Sequence, residues 1–305
     1  MKITAVIVTY NRLELLKSCL QSVQGQSRKP EEIIVINNGS TDNTKEWLSA
    51  QNVTTYTKEN NGGAGGFSYG IKTAYNNGTD WIWLMDDDVF PANDALQQLV
   101  NALEDLGDQQ EKVGFLASKV LWTDNSVHEM NKTYVLEDQK KLEKLTLSDN
   151  KNLPFVQFAT FVSMLLSAKA VEKVGLPIKE YFIWCDDIEY SKRIVANGLA
   201  GLLVGSSVVI HKSPTNNPSN VFYDPKSSIW KFNHGFRNEM YTKRLHEGEF
   251  SFWSTWVHRM FLLPLRIAVT RKTDRWPFIK MVWQTTWNSL FFRPVIEKAN
   301  SPLSA

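Results

Sequence analysis

Three consecutive carboxylates close an apolar run, Trp81-Ile82-Trp83-Leu84-Met85-Asp86-Asp87-Asp88. Adjacent carboxylates repel one another and lose hydration at a buried strand end, so a positive group is expected beside them. Side chains alternate along an extended chain, which would put Asp86 and Asp88 on one side. Such a pair offers oxygen ligands to a hard divalent cation, manganese or magnesium. The competing reading is a solvated acidic turn before a helix starting at Pro91. A second acidic group, Trp184-Cys185-Asp186-Asp187-Ile188-Glu189, opens an amphipathic helical pattern. Asp186, Asp187 and Glu189 either cap that helix and complement its dipole, or set a general base at the mouth of a site. The stretch Asn60-Asn61-Gly62-Gly63-Ala64-Gly65-Gly66-Phe67 reads as a glycine-rich loop. Its glycines would let backbone approach a ligand closely, and the N-terminus of the following helix favours an anion. It is neither a Walker loop nor a dinucleotide fingerprint, and a loop without ligand is the alternative. His211 follows Val208-Val209-Ile210. A lone histidine at a strand end is usually structural, but a neutral imidazole beside Asp86 and Asp88 would complete a metal site. His128, His234, His246 and His258 have no comparable sequence context.

These residues fall at the ends of predicted elements. Ile3 to Val8 reads as a strand, and Leu13, Leu16, Cys19, Leu20 and Val23 then recur at helical spacing. Glu32 to Ile36 and Val53 to Tyr56 read as strands, and a helix follows the glycines to about Asn76. Trp81 to Met85 and Val113 to Val120 are further strands. Strands alternating with helices imply an α/β fold, a mostly parallel twisted sheet flanked by helices. Ligands bind such sheets at the carboxyl ends of the strands. Thr123 to Leu153 is expected to carry a hairpin or loop, and Phe155 to Leu166 to return to the sheet. A helix starts near Asp187, and Leu202 to Ile210 is a strand. Ser213 to Pro225 reads as a loop, and the remainder is helical.

The chain has 305 residues, 34 Lys and Arg, 32 Asp and Glu, and two cysteines. A net charge of +2 argues against a nucleic-acid partner, and two cysteines exclude a disulfide framework. Residues from 226 onward hold 13 Lys and Arg against 5 Asp and Glu, so the first 225 carry −6. Six of the 11 tryptophans also lie in that last part. The expected division is therefore 1–225, binding and catalytic, and 226–305, a helical basic and aromatic extension. The extension would pack on the catalytic part, join two copies, or lie on an anionic membrane surface. No leader-like segment opens the chain and no run of about 18 apolar residues occurs. A cytoplasmic place is expected, with peripheral contact at the inner face of the cell membrane as a use for the extension.

In order, Val6-Ile7-Val8-Thr9-Tyr10-Asn11-Arg12, Ile33-Ile34-Val35-Ile36-Asn37-Asn38-Gly39-Ser40, the glycine stretch, the Asp triplet and Trp184-Cys185-Asp186-Asp187-Ile188-Glu189 resemble family 2 of the glycosyltransferases, which have the GT-A fold. The resemblance covers residues 1–211 and is nearest the galactofuranosyltransferases, with rhamnosyltransferases sharing much of it. It implies an inverting, metal-dependent transfer of a sugar from a nucleotide donor. The acceptor would be a hydroxyl of a glycan or polyprenyl-diphosphate-linked acceptor, in cell-surface polysaccharide synthesis. It implies a metal at Asp86, Asp88 and His211, and Asp187 as base, with Asp186 beside it and Glu189 holding the acceptor hydroxyl. The nucleotide would lie at Thr9, Tyr10, Asn11, Arg12, Asn38, Asn61, Gly62, Gly63, Gly65, Gly66, Asp86 and Asp87. Lys231 or Arg237 would help neutralise the diphosphate. Asn37 stands where the family frequently has Asp, and UDP-galactofuranose and dTDP-rhamnose both stay open as donors. Two other classes compete: a nucleotidyltransferase, for which no basic triphosphate loop is present, and a non-catalytic nucleotide-sugar-binding module, which would not need Asp187 and Glu189.

Overall fold

The computed structural model describes residues 1–135 and 153–300. Strands β1 (Ile3–Thr9), β2 (Glu32–Asn37), β3 (Thr54–Thr57) and β4 (Trp81–Asp86) alternate with helices α1 (Leu13–Gln24), α2 (Thr44–Ser49) and α3 (Gly62–Asn76). After β4 come β5 (Val89–Pro91), α4 (Ala95–Leu106), β6 (Val113–Leu121), β9 (Met164–Ser167) and α5 (Ala168–Val174). Then follow α6 (Asp186–Ala196) and β10 (Ala200–His211). The sheet order is β3-β2-β1-β4-β9-β6-β10-β5.

The sheet is mixed, with four parallel and three antiparallel pairings. β1 runs parallel to β2 and β4, β2 to β3, and β6 to β10. β9 lies antiparallel between β4 and β6, and β5 is antiparallel to β10. The return of Phe155 to Leu166 therefore enters mid-sheet. The helix after the Asp triplet starts at Ala95 rather than Pro91, because Val89–Pro91 first pairs with β10. A two-stranded pair, β7 (Tyr134–Val135) with β8 (Val156–Phe158), flanks residues 136–152 of the predicted excursion, which lie outside the described residues.

Alternation along β1 decides the two cores. Ile3, Ala5 and Ile7 face one side, where α1 (Leu16, Leu20) and α4 (Leu96, Leu99) bury their apolar stripes. Val6 and Val8 face the other, against Phe67 and Ile71 of α3 and near Tyr190 and Ile194 of α6. Each fully buried side chain of this kind contributes roughly 1.5–3 kcal/mol relative to exposure. A chain of buried hydroxyls ties the middle strands. Trp83 Nε1 donates to Ser163 Oγ (2.9 Å), which meets Ser118 Oγ (2.7 Å), which meets Ser207 Oγ (2.7 Å).

The glycine stretch is helix, not loop: α3 begins at Gly62. A Cβ on Gly66 would lie 2.6 Å from Val8 Cγ1, and one on Gly70 2.5 Å from Val6 Cγ1. Glycines four residues apart share a helix face, so these two let α3 seat on β1. Helices α7 (Ile229–Glu247), α8 (Glu249–Val257), α9 (Leu263–Thr270) and α10 (Arg275–Asn288) form the C-terminal part, a turn of π-helix joining α8 to α9. Phe232, Leu263, Ile267, Phe278 and Val282 make their own core.

Candidate active site

Parallel register brings three loops to one edge of the sheet. Thr9 is level with Asn37, and Val8 with Asp86. His211 pairs with Val89, which sets its ring beside Asp88. Arg12 supplies the positive group the triplet requires. Its Nη1 lies 2.7 Å from Asp88 Oδ2 and 3.3 Å from Asp87 Oδ1. Thr9 Oγ1 donates to Asp87 Oδ2 (2.7 Å). Asp87 thus holds both Thr9 and Arg12.

The chain turns at Asp87–Asp88 between β4 and β5, so extended-strand alternation does not apply there. Among the described residues no three His, Cys, Asp or Glu side chains converge on a metal position. The expected Asp86, Asp88 and His211 set is brought together in part: His211 meets Asp88, and the half-buried Asp86 lies near enough to Asp88 to feel its charge. His211 Nδ1 bonds Asn131 Oδ1 (2.7 Å). In the neutral ring that leaves Nε2 as a lone pair, 3.2 Å from Asp88 Oδ1, whereas a protonated ring would donate to that oxygen. That oxygen is buried with no hydrogen-bond donor. Two acceptors facing each other call for a proton or a cation between them, so this pair fits a hard divalent ion. Burial pushes Asp88 up, but His211 and Arg12 outweigh it and hold the group below the usual carboxylate range. Burial, then Asp88 and Asp87, push Asp86 well above that range. Asp87 is raised to about 6 by burial, against the pull of Arg12 and Thr9.

Asp186 and Asp187 open α6 as expected, and Asp186 is close enough to Asp86 to raise its pKa further. Burial raises Asp186 to about 8, with Asp187 adding to it. Burial raises Asp187 to about 6, opposed by the Ile188 amide, which donates to its Oδ1 (2.7 Å). The two carboxylates titrate as a pair, and both are raised above the ordinary carboxylate range. Glu189 does not join them. It is fully buried, and both oxygens accept from Arg193 (3.0 and 2.9 Å), with His246 3.2 Å from Oε1. The reason is helical periodicity, since residues two apart on a helix do not share a face. Glu189 forms a buried ion pair with Arg193 that anchors α6.

Several expected nucleotide contacts are engaged internally. Asn38 donates to Gly62 O (2.8 Å) and Asn60 Oδ1 (3.2 Å), and accepts from Lys58. Asn38 thereby braces the start of α3. Asn11 has φ 53° and accepts from the Thr41 amide (2.7 Å), fastening the loop after β1 to that after β2. A Cβ on Gly62 would meet Phe182 O at 2.0 Å, so Gly62 serves packing, as does Gly66. Gly63 has open space beside it, and Tyr10 is exposed at the rim. Asn61 and Gly65 line a cleft of about 620 Å³ with Lys58, Glu59, Tyr69 and Lys179, and neither the Asp86–Asp88 triplet nor Asp186–Asp187 lines it. Arg237 bonds Glu180 O (2.7 Å) and stacks 4.0 Å from the Phe292 ring, so it braces a loop. Lys231 lies over the Trp230 ring.

His128 was not legible in the sequence. It is fully buried, stacked on His211 at 4.5 Å, bonded to Ser213 Oγ (2.8 Å), and lowered to about 4 by burial and by His211. Asn131, which orients His211, was equally silent. Both reach His211 across some 80 residues, a separation that leaves no local signal.

The sheet, its flanking helices and the carboxylate-lined edge define a GT-A fold. S. aureus TarS, residues 1–349, superposes with a TM-score of 0.56 at 14% identity, over 94% of this chain and 82% of that one. A structure of GalNAc-T7 with UDP, GalNAc and Mn2+ gives 0.60 at 14%, over 93% and 54%. Residues 4–175 match the profile of glycosyl transferase family 2, more than half of the chain, and the chain belongs to that family. It is 31% identical over 213 residues to galactofuranosyltransferase GlfT1 of Mycolicibacterium smegmatis, covering 65% of this chain and 66% of that protein. GlfT1 of Mycobacterium tuberculosis is 29% identical over 214 residues, covering 64% and 65%. The matched part is just under two thirds of the length of these relatives.

Proposed function

We propose that the protein is an inverting glycosyltransferase that moves galactofuranose from UDP-galactofuranose to a hydroxyl of a glycan or polyprenyl-diphosphate-linked acceptor in cell-surface polysaccharide synthesis. The observation that carries the reading is that Asp186, which opens α6 beside Asp187, is close enough to Asp86 for their charges to interact, so the head of α6 faces the sheet edge where a donor diphosphate would lie. Likeness to the galactofuranosyltransferases supports the choice of sugar. The acceptor oxygen attacks the anomeric carbon while the bond to the diphosphate breaks, and the leaving oxygen takes the electron pair. Asp187 takes the acceptor proton, and attack from the opposite side inverts the centre. Asp88 and His211, with Asp86 nearby, would hold a divalent ion, whose charge stabilises the departing diphosphate. Asp187, raised to about 6, is ionised at neutral pH yet basic enough to accept a proton. Screening UDP-galactofuranose, UDP-galactose, UDP-glucose and dTDP-rhamnose for donor hydrolysis and transfer tests this. Release of nucleotide diphosphate from none of them would reject the enzyme reading in favour of a binding module.

A surface contact with an anionic membrane is part of the same reading. Phe250, Phe261, Leu265, Val269 and Trp276 are each more than 60% exposed on the C-terminal helices, with Lys272 and Lys280 exposed among them. Apolar rings and cations together suit a headgroup interface, and no described helix is long and apolar enough to cross a membrane. The chain should float with liposomes containing anionic lipid, and a chain with Phe250, Phe261 and Trp276 changed to serine should not. Equal flotation of the two would reject the contact, and a dimer that hides these residues in solution would reassign the face to a second copy.

A further inference from the structure

The two carboxylates at the head of α6 follow a loop of unusual backbone. Phe182, Trp184 and Cys185 have φ of 65°, 66° and 70°. Each such residue costs of order 1–3 kcal/mol and persists only where surrounding structure holds it. What holds this loop comes from α7, more than fifty residues downstream. Asn238 is fully buried, and its Nδ2 donates to the carbonyls of Tyr181 (2.9 Å), Ile183 (3.0 Å) and Trp184 (2.9 Å). Its Oδ1 accepts from Arg237 Nε (3.1 Å) and Nη2 (2.9 Å). Every polar atom of the side chain is engaged, so Asn238 has nothing left to offer a ligand. One turn earlier, Gly235 makes room for the Trp184 ring: a Cβ there would lie 2.4 Å from Trp184 Cε3. His234 stacks on Phe182 at 4.8 Å. From the other side, the Ala64 amide donates to Phe182 O (3.2 Å).

We infer that Asn238, with Gly235 beneath it, is a positioning residue for sugar transfer: it pins the left-handed loop that delivers Asp186 and Asp187 to the sheet edge. The inference rests on the proposed function. A carbonyl cluster of this kind needs a donor, and neither a hydrophobic residue nor a carboxylate supplies one. Asn238→Asp keeps shape and volume but turns an acceptor toward three acceptors. Without the pin the loop can relax toward ordinary φ values, and the carboxylates move with it. A shift of about 1 Å at a reacting group costs about 100-fold in rate.

The test compares the parent chain with Asn238→Asp, Asn238→Ala and Gly235→Ala. Three readouts are taken: hydrogen exchange of the 182–189 amides, UDP affinity by calorimetry, and transfer kinetics across pH. The inference expects exchange in 182–189 to rise at least tenfold while β1 and β4 stay protected. It expects kcat to fall about 100-fold, the acid limb of the kcat profile to move, and UDP affinity to stay within twofold. Exchange and kcat at parental values in both Asn238 variants would overturn it. So would loss of UDP affinity in step with kcat, which would mark a general folding defect. Should Asn238→Ala fail to fold, Asn238→Asp and Gly235→Ala decide the matter. If the parent transfers no sugar, the proposed function falls, and the exchange data alone still decide whether Asn238 holds the loop.

Discussion

Replacing Asp187 by asparagine should abolish transfer and raise stability in the same variant. Burial lifts the Asp187 pKa from an ordinary value of 3.8 to about 6, roughly two units, and each unit corresponds to about 1.4 kcal/mol. A raised folded-state pKa means that the folded protein prefers the protonated group. Above pH 6 the ionised carboxylate therefore costs about 2–3 kcal/mol of stability. Most of the cost fades as pH falls from 6 to 4, where the folded group is protonated and the unfolded group about half so. Asparagine carries no charge at any pH, so Asp187→Asn should unfold several degrees higher than the parent at pH 8 and at the parental temperature at pH 4. Activity moves the other way. Loss of a general base costs about 10²–10⁴-fold, and the parent's own kcat/KM should fall tenfold per unit below pH 6. Scanning calorimetry at pH 4 and 8, UDP binding and transfer rates from pH 5 to 8 make the assay. Transfer by Asp187→Asn at the parental rate, or a parental profile flat through pH 6, would refute the base. An unchanged unfolding temperature at pH 8 would refute the buried-charge argument while leaving the chemistry standing.

Arg12→Gln removes the cation between Asp87 and Asp88 and should lower stability by about 2 kcal/mol, the Arg12 side chain being partly solvated; a parental urea midpoint would show that the ion pairs contribute nothing. Gly66→Ala puts a methyl 2.6 Å from Val8 Cγ1 and should destabilise by about 1–3 kcal/mol. Gly63→Ala, with nothing within 4 Å, should stabilise by up to about 1 kcal/mol, and the reverse order in urea would mean these glycines do not serve packing. Asp88→Ala should abolish Mn2+ binding measured by calorimetry in the presence of UDP, and excess EDTA should stop transfer. Full activity in EDTA would remove the metal.

Much of the site was legible because its chemistry is local. An acidic triplet after five apolar residues can only end a buried strand, and Asp186–Asp187 before an amphipathic stretch can only open a helix. What the sequence could not show was how local patterns become geometry. Alternation put Asp86 and Asp88 on one side, but the chain turns at Asp87–Asp88 to reach β10. Glycine density suggested a ligand loop, yet Gly66 and Gly70 belong to a helix that they seat against Val8 and Val6. Asn38, Glu189 and Arg237 each bond a partner inside the fold, which no local pattern foretold.

The sequence by itself determined the order of strands and helices, the acidic edge and the basic, aromatic C-terminal part, since apolar periodicity and charge are properties of neighbouring residues. The tertiary structure alone decided which carboxylates are free and what holds them. His128 and Asn131 reach His211, and Asn238 reaches the loop before Asp186, across 54 to 83 residues of chain. Such contacts arise from register across the sheet and the docking of α7, and no pattern of neighbouring residues encodes them.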